Sequence, residues 1–146
     1  MKSEELATAV KIVGEDIKRL IPQRNPFIMV DEFEQRDADS AVTALTVASS
    51  NYFITYDGCM AETGLIEHIA QSCSALAGSR SKGETASVGM IAEVKNFVCQ
   101  RRPKVGERLD TTVTFRLSFG QMTLAHGVTT IQGETIAEVD LKIFMQ

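Results

Sequence analysis

One long helical pattern, at residues 61–78, constrains the fold of this 146-residue chain more than any other feature. Apolar side chains recur there at the i, i+3, i+4 and i+7 spacing of a single helical face. They are Leu65, Ile66, Ile69, Ala70, Cys73, Leu76 and Ala77. The opposite face carries Glu67 and Gln71 among small residues, where a solvent-facing helix would carry long charged ones. We therefore predict a helix that ends at Gly78, is covered on both faces and holds polar groups where water is scarce.

Period-two alternation dominates the second half of the chain and is clearest from Leu109 to Phe119. Strands are predicted at 27–30 and 39–50 before the helix, and at 88–99, 108–119, 122–131 and 135–143 after it. Residues 3–20 predict one or two short helices, a helical lead-in over 1–20. Strands that do not alternate with helices favour an antiparallel sheet. We predict an α+β fold in which a curved sheet wraps one long central helix, within a single domain spanning 1–146.

Composition excludes several classes of protein. The chain is 44% hydrophobic and 23% charged, which is typical of a globular domain, and it contains no apolar run of membrane-spanning length. We expect it in the cytoplasm. A net charge of −4 and the absence of a glycine-rich phosphate loop argue against nucleic-acid or nucleotide binding. Cys59, Cys73 and Cys99 have no metal-ligand spacing, so we expect neither a metal site nor a disulfide framework.

Two residues of the helix are candidates for chemistry. Glu67 lies on the small-residue face, where a carboxylate is either used as an acid or base or held by a hydrogen bond at the helix edge. His68 lies beside the apolar face, where a histidine is more often a satisfied structural side chain than a base. Glu62 is in the first turn and suits the helix dipole. Spacing alone does not choose between these alternatives.

Three segments resemble one known family. Residues 20–31 read LIPQRNPFIMVD, similar to the LPHRYPFLLVD opening of bacterial 3-hydroxyacyl-[acyl carrier protein] dehydratases. Residues 64–71, GLIEHIAQ, resemble the family's LIIEAMAQ helix, and residues 96–107 resemble its FRRPVxPGD segment. The resemblance covers most of the chain from residue 20 onward, and it is closer still to a divergent FabZ-like branch that includes aryl-polyene dehydratases. It implies the hotdog fold and an active site shared by two protomers.

The resemblance also implies functional residues. In the family, a histidine of a His-Phe-Pro-Gly loop and an acidic residue on the helix of the other protomer share the acid-base work of dehydration. Glu67 occupies the position of that acidic residue, with His68 as the second catalytic candidate. The substrate-binding candidates are Gly64, Leu65, Gln71, Gln23 and Phe27. No cofactor is expected, and the partners are an acyl carrier protein or coenzyme A thioester and a second hotdog protomer.

Two departures from the family pattern concern histidine. Phe53 stands where the family has its loop histidine, and Gln23 replaces the histidine of LPHRYPF. Three explanations follow: His68 has taken the role, a paralogous partner contributes the imidazole, or the fold has kept acyl binding and lost dehydration. His126 is interpreted as structural.

The leading hypothesis is a dehydratase that converts a 3-hydroxyacyl thioester on acyl carrier protein to the 2-enoyl thioester, with Glu67 as its acid-base residue. The alternatives are an acyl-thioester hydrolase, in which Glu67 or Glu62 activates water, and a non-catalytic acyl-binding subunit of a hotdog heterodimer. We expect a homodimer, a higher oligomer of dimers, or pairing with a hotdog paralogue. Because carrier proteins are acidic, a docking patch is predicted. It comprises Arg101, Arg102 and Lys104.

Overall fold

A computed structural model describes residues 11–80 and 89–145, which form one sheet and one long helix. The strands are β1 (Ile12–Val13), β2 (Glu32–Asp37), β3 (Ser40–Thr46), β4 (Gly89–Cys99), β5 (Arg108–Phe119), β6 (Met122–Ile131) and β7 (Glu134–Met145). The helix, α1, spans Glu62–Ser79. Strand order in the sheet is β1-β2-β3-β5-β6-β7-β4, and every neighbouring pair is antiparallel. This arrangement confirms the predicted α+β class, with β1 and β4 as the edge strands.

Helix α1 packs its apolar face on the inner face of the sheet. Ile69, Cys73 and Leu76 are completely buried in the larger of two core clusters, which also contains Val113 of β5 and Val139 of β7. Strands β5 and β6 alternate between buried and partly exposed residues over most of their length, as expected for a sheet with one covered face. The small-residue face of α1 is also buried at Gln71, Ser74 and Ala75. The prediction of a helix covered on both faces is therefore confirmed.

The predicted end of the helix at Gly78 is wrong, because α1 continues through it to Ser79. A Cβ atom at Gly78 would lie 2.1 Å from the carbonyl oxygen of Leu20, which is far closer than two such atoms can approach. The glycine therefore serves packing and not termination. It lets the backbone at the end of the N-terminal 3₁₀ helix, Gly14–Arg19, press directly on the last turns of α1.

The strand predicted at 27–30 is also wrong. This segment forms no strand, and the first long strand begins at Glu32. At Met29, side chains of α1 take the place of a neighbouring strand: the Met29 amide donates to Gln71 Oε1, and the Met29 carbonyl accepts from His68 Nδ1. The second half of the run, Met29 and Val30, is thus buried, while Phe27 stays exposed. The strand predicted at 39–50 is present but shorter, as β3.

The helical lead-in predicted over 1–20 is only partly correct. Residues 1–10 lie outside the described residues. Ile12 and Val13 form the short strand β1, in which Ile12 pairs with Phe33 of β2. Gly14 has a φ of +60°, a left-handed conformation that suits glycine, and there the chain leaves β1 and enters the 3₁₀ helix.

Candidate active site

Glu67 lies on the partly exposed side of α1, one helical turn before Gln71. The Gln71 amide donates a hydrogen bond of 2.7 Å from Nε2 to Glu67 Oε2. This i, i+4 geometry follows directly from the helical repeat. One carboxylate oxygen of Glu67 is therefore held in place by its own helix.

Gln71 is itself fixed by the segment that precedes β2. It is 1% exposed, and its Oε1 accepts a 2.7 Å hydrogen bond from the Met29 amide. Its Nε2 donates a second 2.7 Å bond, to the carbonyl of Phe27. With the bond to Glu67, both amide hydrogens and the amide oxygen have partners, so the carboxamide has a single orientation. Gln71 therefore presents a fixed donor to the Glu67 carboxylate.

A cavity of about 280 Å³ opens beside Glu67, between α1 and the β4 edge of the sheet. Its lining residues are Gln23, Glu67, Ala70, Ser74, Gly89, Met90, Ile91 and Ile143. Four of these residues are apolar, two are small, and Gln23 and Glu67 carry the larger polar groups; apolar surface with a few polar groups is usual in a small-molecule site. Among the described residues, Gln23 Oε1 is buried without a hydrogen-bond partner. An unpaired buried acceptor of this kind favours binding of a group that can donate to it.

His68 points away from this cavity, into the sheet. Its side chain is completely buried, Nδ1 lies 2.7 Å from the Met29 carbonyl oxygen, and Nε2 lies 2.8 Å from Thr111 Oγ1. Burial lowers the pKa of His68 to about 4, and the Met29 carbonyl and Asp110 offset this only in part. These contacts favour the structural alternative for His68 over the role of a base facing substrate.

The loop before α1 carries Phe53 where the family histidine would stand. The Phe53 amide donates to Asn51 Oδ1 at 2.8 Å, and its carbonyl accepts from the Ala61 amide at 2.9 Å. A Cβ atom at Gly64 would lie 2.7 Å from Phe53 Cβ, so the glycine allows the loop to pack on the first turn of α1. Gly64, a predicted substrate-binding residue, thus has a packing role in the first turn of α1. The loop holds a phenyl ring and no imidazole.

Comparison with known proteins decides the family. Residues 15–146 match the ApeP-like family, described as ApeP dehydratase. The chain belongs to the ApeP-like dehydratase family. This ApeP-like chain is 30% identical over 136 residues to a 3-hydroxyacyl-[acyl-carrier-protein] dehydratase FabZ of Halalkalibacterium halodurans, covering 87% of this chain and 94% of that protein. A second FabZ, of Oceanobacillus iheyensis, is 28% identical over 133 residues, with the same coverage of each chain.

Solved structures agree on the fold. The dehydratase heterocomplex ApeI:P of Xenorhabdus doucetiae superposes with a TM-score of 0.81 at 19% identity, over 89% of this chain and 90% of the other. A hypothetical thioesterase with coenzyme A from Streptococcus pneumoniae gives a TM-score of 0.63 at 14% identity, over 78% and 84%. At these identities the likeness establishes architecture alone. The ApeP-like chain has the hotdog fold predicted from its sequence.

Two other substrate-binding candidates of the ApeP-like chain, Leu65 and Phe27, do not line the Glu67 cavity. Leu65 is completely buried in the smaller core cluster and does not line the cavity. Phe27 is 47% exposed, and its ring packs edge-to-face against Tyr52 with centroids 5.0 Å apart. Of the five predicted residues, Gln23 lines the cavity and Gln71 holds Glu67, while the Phe27 carbonyl anchors Gln71.

Two of the three predicted carrier-binding side chains, those of Arg101 and Arg102, are already paired with acidic groups. Arg101 forms two hydrogen bonds to the Glu107 carboxylate, of 2.9 and 3.0 Å, and the Lys104 amide donates to the same carboxylate. The Arg101 guanidinium and that amide lower the pKa of Glu107. Arg102 forms an ion pair with Asp57. The patch is therefore a mixed-charge surface in the isolated ApeP-like chain.

His126 lies on the outer face of the sheet. Its Nδ1 is 2.7 Å from Asp140 Oδ1 and its Nε2 is 3.1 Å from Glu138 Oε2. Hydrogen bonds from His126 and Asn96 lower the pKa of Asp140. Glu62, the alternative water-activating residue, is exposed in the first turn of α1. Neither side chain lines the Glu67 cavity.

Most residues of the cavity wall were not predicted from the sequence. Gly89, Met90 and Ile91 of β4 line it, yet no chemical motif marks them. The sequence signals for the site are the resemblance of the segments that contain Gln23 and Glu67 to the family, and the common helical face of Glu67 and Gln71. Within residues 11–80 and 89–145, no helix could span a membrane and no cluster of three acidic, histidine or cysteine residues could hold a metal ion.

Proposed function

We propose that this ApeP-like chain supplies the carboxylate of a dehydratase that acts on a 3-hydroxyacyl thioester carried by acyl carrier protein in the cytoplasm. Family membership and the FabZ relatives support the reaction class. The assignment of Glu67 is supported by its position in the wall of a cavity, with one carboxylate oxygen held by Gln71. The product is the 2-enoyl thioester.

Dehydration requires two proton transfers. A base takes the proton from C2, which the thioester carbonyl acidifies, and the C2 electron pair forms the C2–C3 double bond as the C3–O bond breaks. A second group gives a proton to the departing hydroxyl, which leaves as water. We assign the second transfer to Glu67. Because Gln71 donates to Oε2, the proton that is delivered belongs on Oε1.

The base must come from another chain, and the placement of the two histidines carries this inference. The sequence contains only two histidines. His68 has both ring nitrogens bonded inside the core, and His126 is bonded to two carboxylates on the outer face. A second copy of the chain would bring the same two engaged imidazoles. We therefore favour a hotdog paralogue with a loop histidine over the homodimer expected from the family.

The edge strand β4 is the surface that such a partner would cover. Met90, Ile91, Val94 and Val98 are all exposed on it. Two of these, Met90 and Ile91, also line the Glu67 cavity, so a chain that pairs with this edge would close the cavity. The ApeI:P structure, a heterocomplex of dehydratases with this fold, is consistent with such an assembly.

The hydrolase alternative rests on structural neighbours described as hypothetical thioesterases, which share the fold at lower similarity. In that reaction Glu67 would activate water against the thioester carbonyl, with no second chain. Incubation with 3-hydroxyacyl and simple acyl thioesters separates the two reactions by product, because dehydration yields an enoyl thioester and hydrolysis yields a free thiol.

Native co-purification followed by assay tests the proposal. We expect the chain alone to be inactive and the assembled pair to dehydrate a 3-hydroxyacyl thioester. We expect Glu67→Gln, which removes the transferable proton and keeps the side-chain shape, to lower turnover by the pair by about 100-fold or more and to leave a measurable residual rate. The proposal fails if Glu67→Gln leaves dehydration intact.

A further inference from the structure

Met29 is held at two points by adjacent turns of α1. Its carbonyl accepts a 2.7 Å hydrogen bond from His68 Nδ1, and its amide donates a 2.7 Å bond to Gln71 Oε1. The Met29 side chain is completely buried. Because Gln71 also donates to Glu67, a continuous path of hydrogen bonds joins His68 to the Glu67 carboxylate through one backbone residue.

The partners of His68 define its protonation. A carbonyl oxygen can only accept, so Nδ1 must carry the hydrogen that it donates to Met29. In the neutral ring Nε2 is then an acceptor, and the Thr111 hydroxyl must donate to it. Thr111 in turn accepts from the Thr129 hydroxyl, which lies 2.7 Å away. His68, Thr111 and Thr129 are all completely buried, so no water competes for these bonds.

We infer that His68 is a positioning residue: a neutral, Nδ1-protonated imidazole that anchors Met29 to the sheet and, through Met29 and Gln71, sets the orientation of the Glu67 carboxylate. The inference rests on the proposed role of Glu67. It explains why a helix that carries the acidic residue also carries a buried imidazole at the next position, although consecutive helical residues point about 100° apart. Strands β5 and β6 provide the fixed end of this path through Thr111 and Thr129.

Substitutions that keep or lose the Met29 bond separate positioning from simple packing. In His68→Asn, the side-chain amide nitrogen occupies the place of Nδ1 and can still donate to the Met29 carbonyl. In His68→Gln, the longer side chain places its amide near Nε2. We expect His68→Gln to lower kcat of the assembled dehydratase by about 10- to 100-fold with little change in KM, and His68→Asn to recover most of that loss.

Ser72→Ala is the matched control. Ser72 is also buried and polar on α1, and its hydroxyl bonds to Thr43 and to the His68 carbonyl, not to Met29. Its loss should therefore destabilise the fold and leave kcat within about twofold of the unsubstituted protein. If Ser72→Ala lowers kcat as much as His68→Gln, the effect of His68 is general loss of core polarity and the inference is wrong.

Two further measurements keep the inference distinct from the proposed function. Nitrogen chemical shifts of the His68 ring, in the unsubstituted protein, should show a protonated Nδ1 and an unprotonated Nε2 at neutral pH. The opposite tautomer overturns the inference whatever the activity. In a Glu67→Gln background, His68→Gln should cause no additional loss of turnover, because its effect passes through Glu67. Additive losses would also overturn it, whereas an active Glu67→Gln enzyme would refute the proposed function first.

Discussion

Protonation of His68 should destabilise the folded chain in mild acid. Burial lowers the pKa of His68 from 6.5 to about 4, so the folded state resists a proton that the unfolded chain accepts. Well above pH 6.5 His68 is unprotonated in both states, and the full stability is present. Between pH 6.5 and about 4 the unfolded chain binds more protons, so the free energy of unfolding falls as pH falls through this window.

The magnitude follows from the two pKa values. The fall from 6.5 to about 4 corresponds to about 3 kcal/mol over the whole window, of which about 2 kcal/mol is lost between pH 7 and pH 5. The structural source of this cost is clear. A charged imidazole at this site would be completely buried, and its Nε2 would need an acceptor where the Thr111 hydroxyl now donates. The Asp110 carboxylate is the charge that favours protonation.

Urea unfolding at pH 7 and pH 5, at one fixed protein concentration, measures this effect. His68→Asn is the comparison, because it removes the titrating group and keeps the donor to Met29. Carboxylates with lowered pKa values, such as Asp140, titrate equally in both proteins and cancel. We expect the unsubstituted chain to lose about 2 kcal/mol more than His68→Asn between the two pH values. Equal losses would refute the buried, neutral assignment of His68.

Three other predictions follow from the geometry. Gln71→Leu should lower kcat of the assembled dehydratase by about 10- to 100-fold, because the Glu67 carboxylate loses its fixed donor; steady-state kinetics checks this, and an unchanged kcat contradicts it. Gly78→Ala should destabilise the fold by about 2 kcal/mol or more in urea unfolding, since the new Cβ would meet a backbone oxygen at 2.1 Å; unaltered stability would mean that the contact is not rigid. Exchange of Arg101 and Arg102 for Glu should slow turnover of carrier-linked substrate and remove the salt dependence of that rate. Turnover of a short thioester mimic should be unaffected. Equal loss of activity with both substrates would assign these arginines to the fold.

Periodicity predicted the parts of the fold that bury one face of a regular element. The residues 65, 69, 73 and 76 of α1 face the sheet as their spacing requires, and β5 to β7 lie where alternation placed them. The strand predicted at 27–30 is absent for a physical reason, because an apolar segment can pack against a helix as well as within a sheet. The two hydrogen bonds of the Met29 backbone, one accepted from His68 and one donated to Gln71, distinguish the two cases, and they join residues about 40 positions apart.

The candidate site also has a part that could be predicted from the sequence and a part that could not. Glu67 and Gln71 could be proposed from sequence because they share one helical face and because the helix resembles that of the dehydratases. The environment of His68 could not be, since it depends on Thr111 and Thr129 from two later strands. The Glu67 cavity also needs the β4 edge beside α1, a neighbourhood set by the sheet order.

Dehydration by a reconstituted pair tests the central claim most directly. The claim is that Glu67 of this chain and an imidazole of a second hotdog chain act in one cavity. The rate of enoyl thioester formation would be measured for the chain alone, for the partner alone, and for pairs that carry Glu67→Gln or an alanine in place of the partner's loop histidine. We expect activity only in the unsubstituted pair, with each substitution reducing the rate by about 100-fold or more. Full activity of this chain alone, or of the pair that carries Glu67→Gln, would contradict the claim.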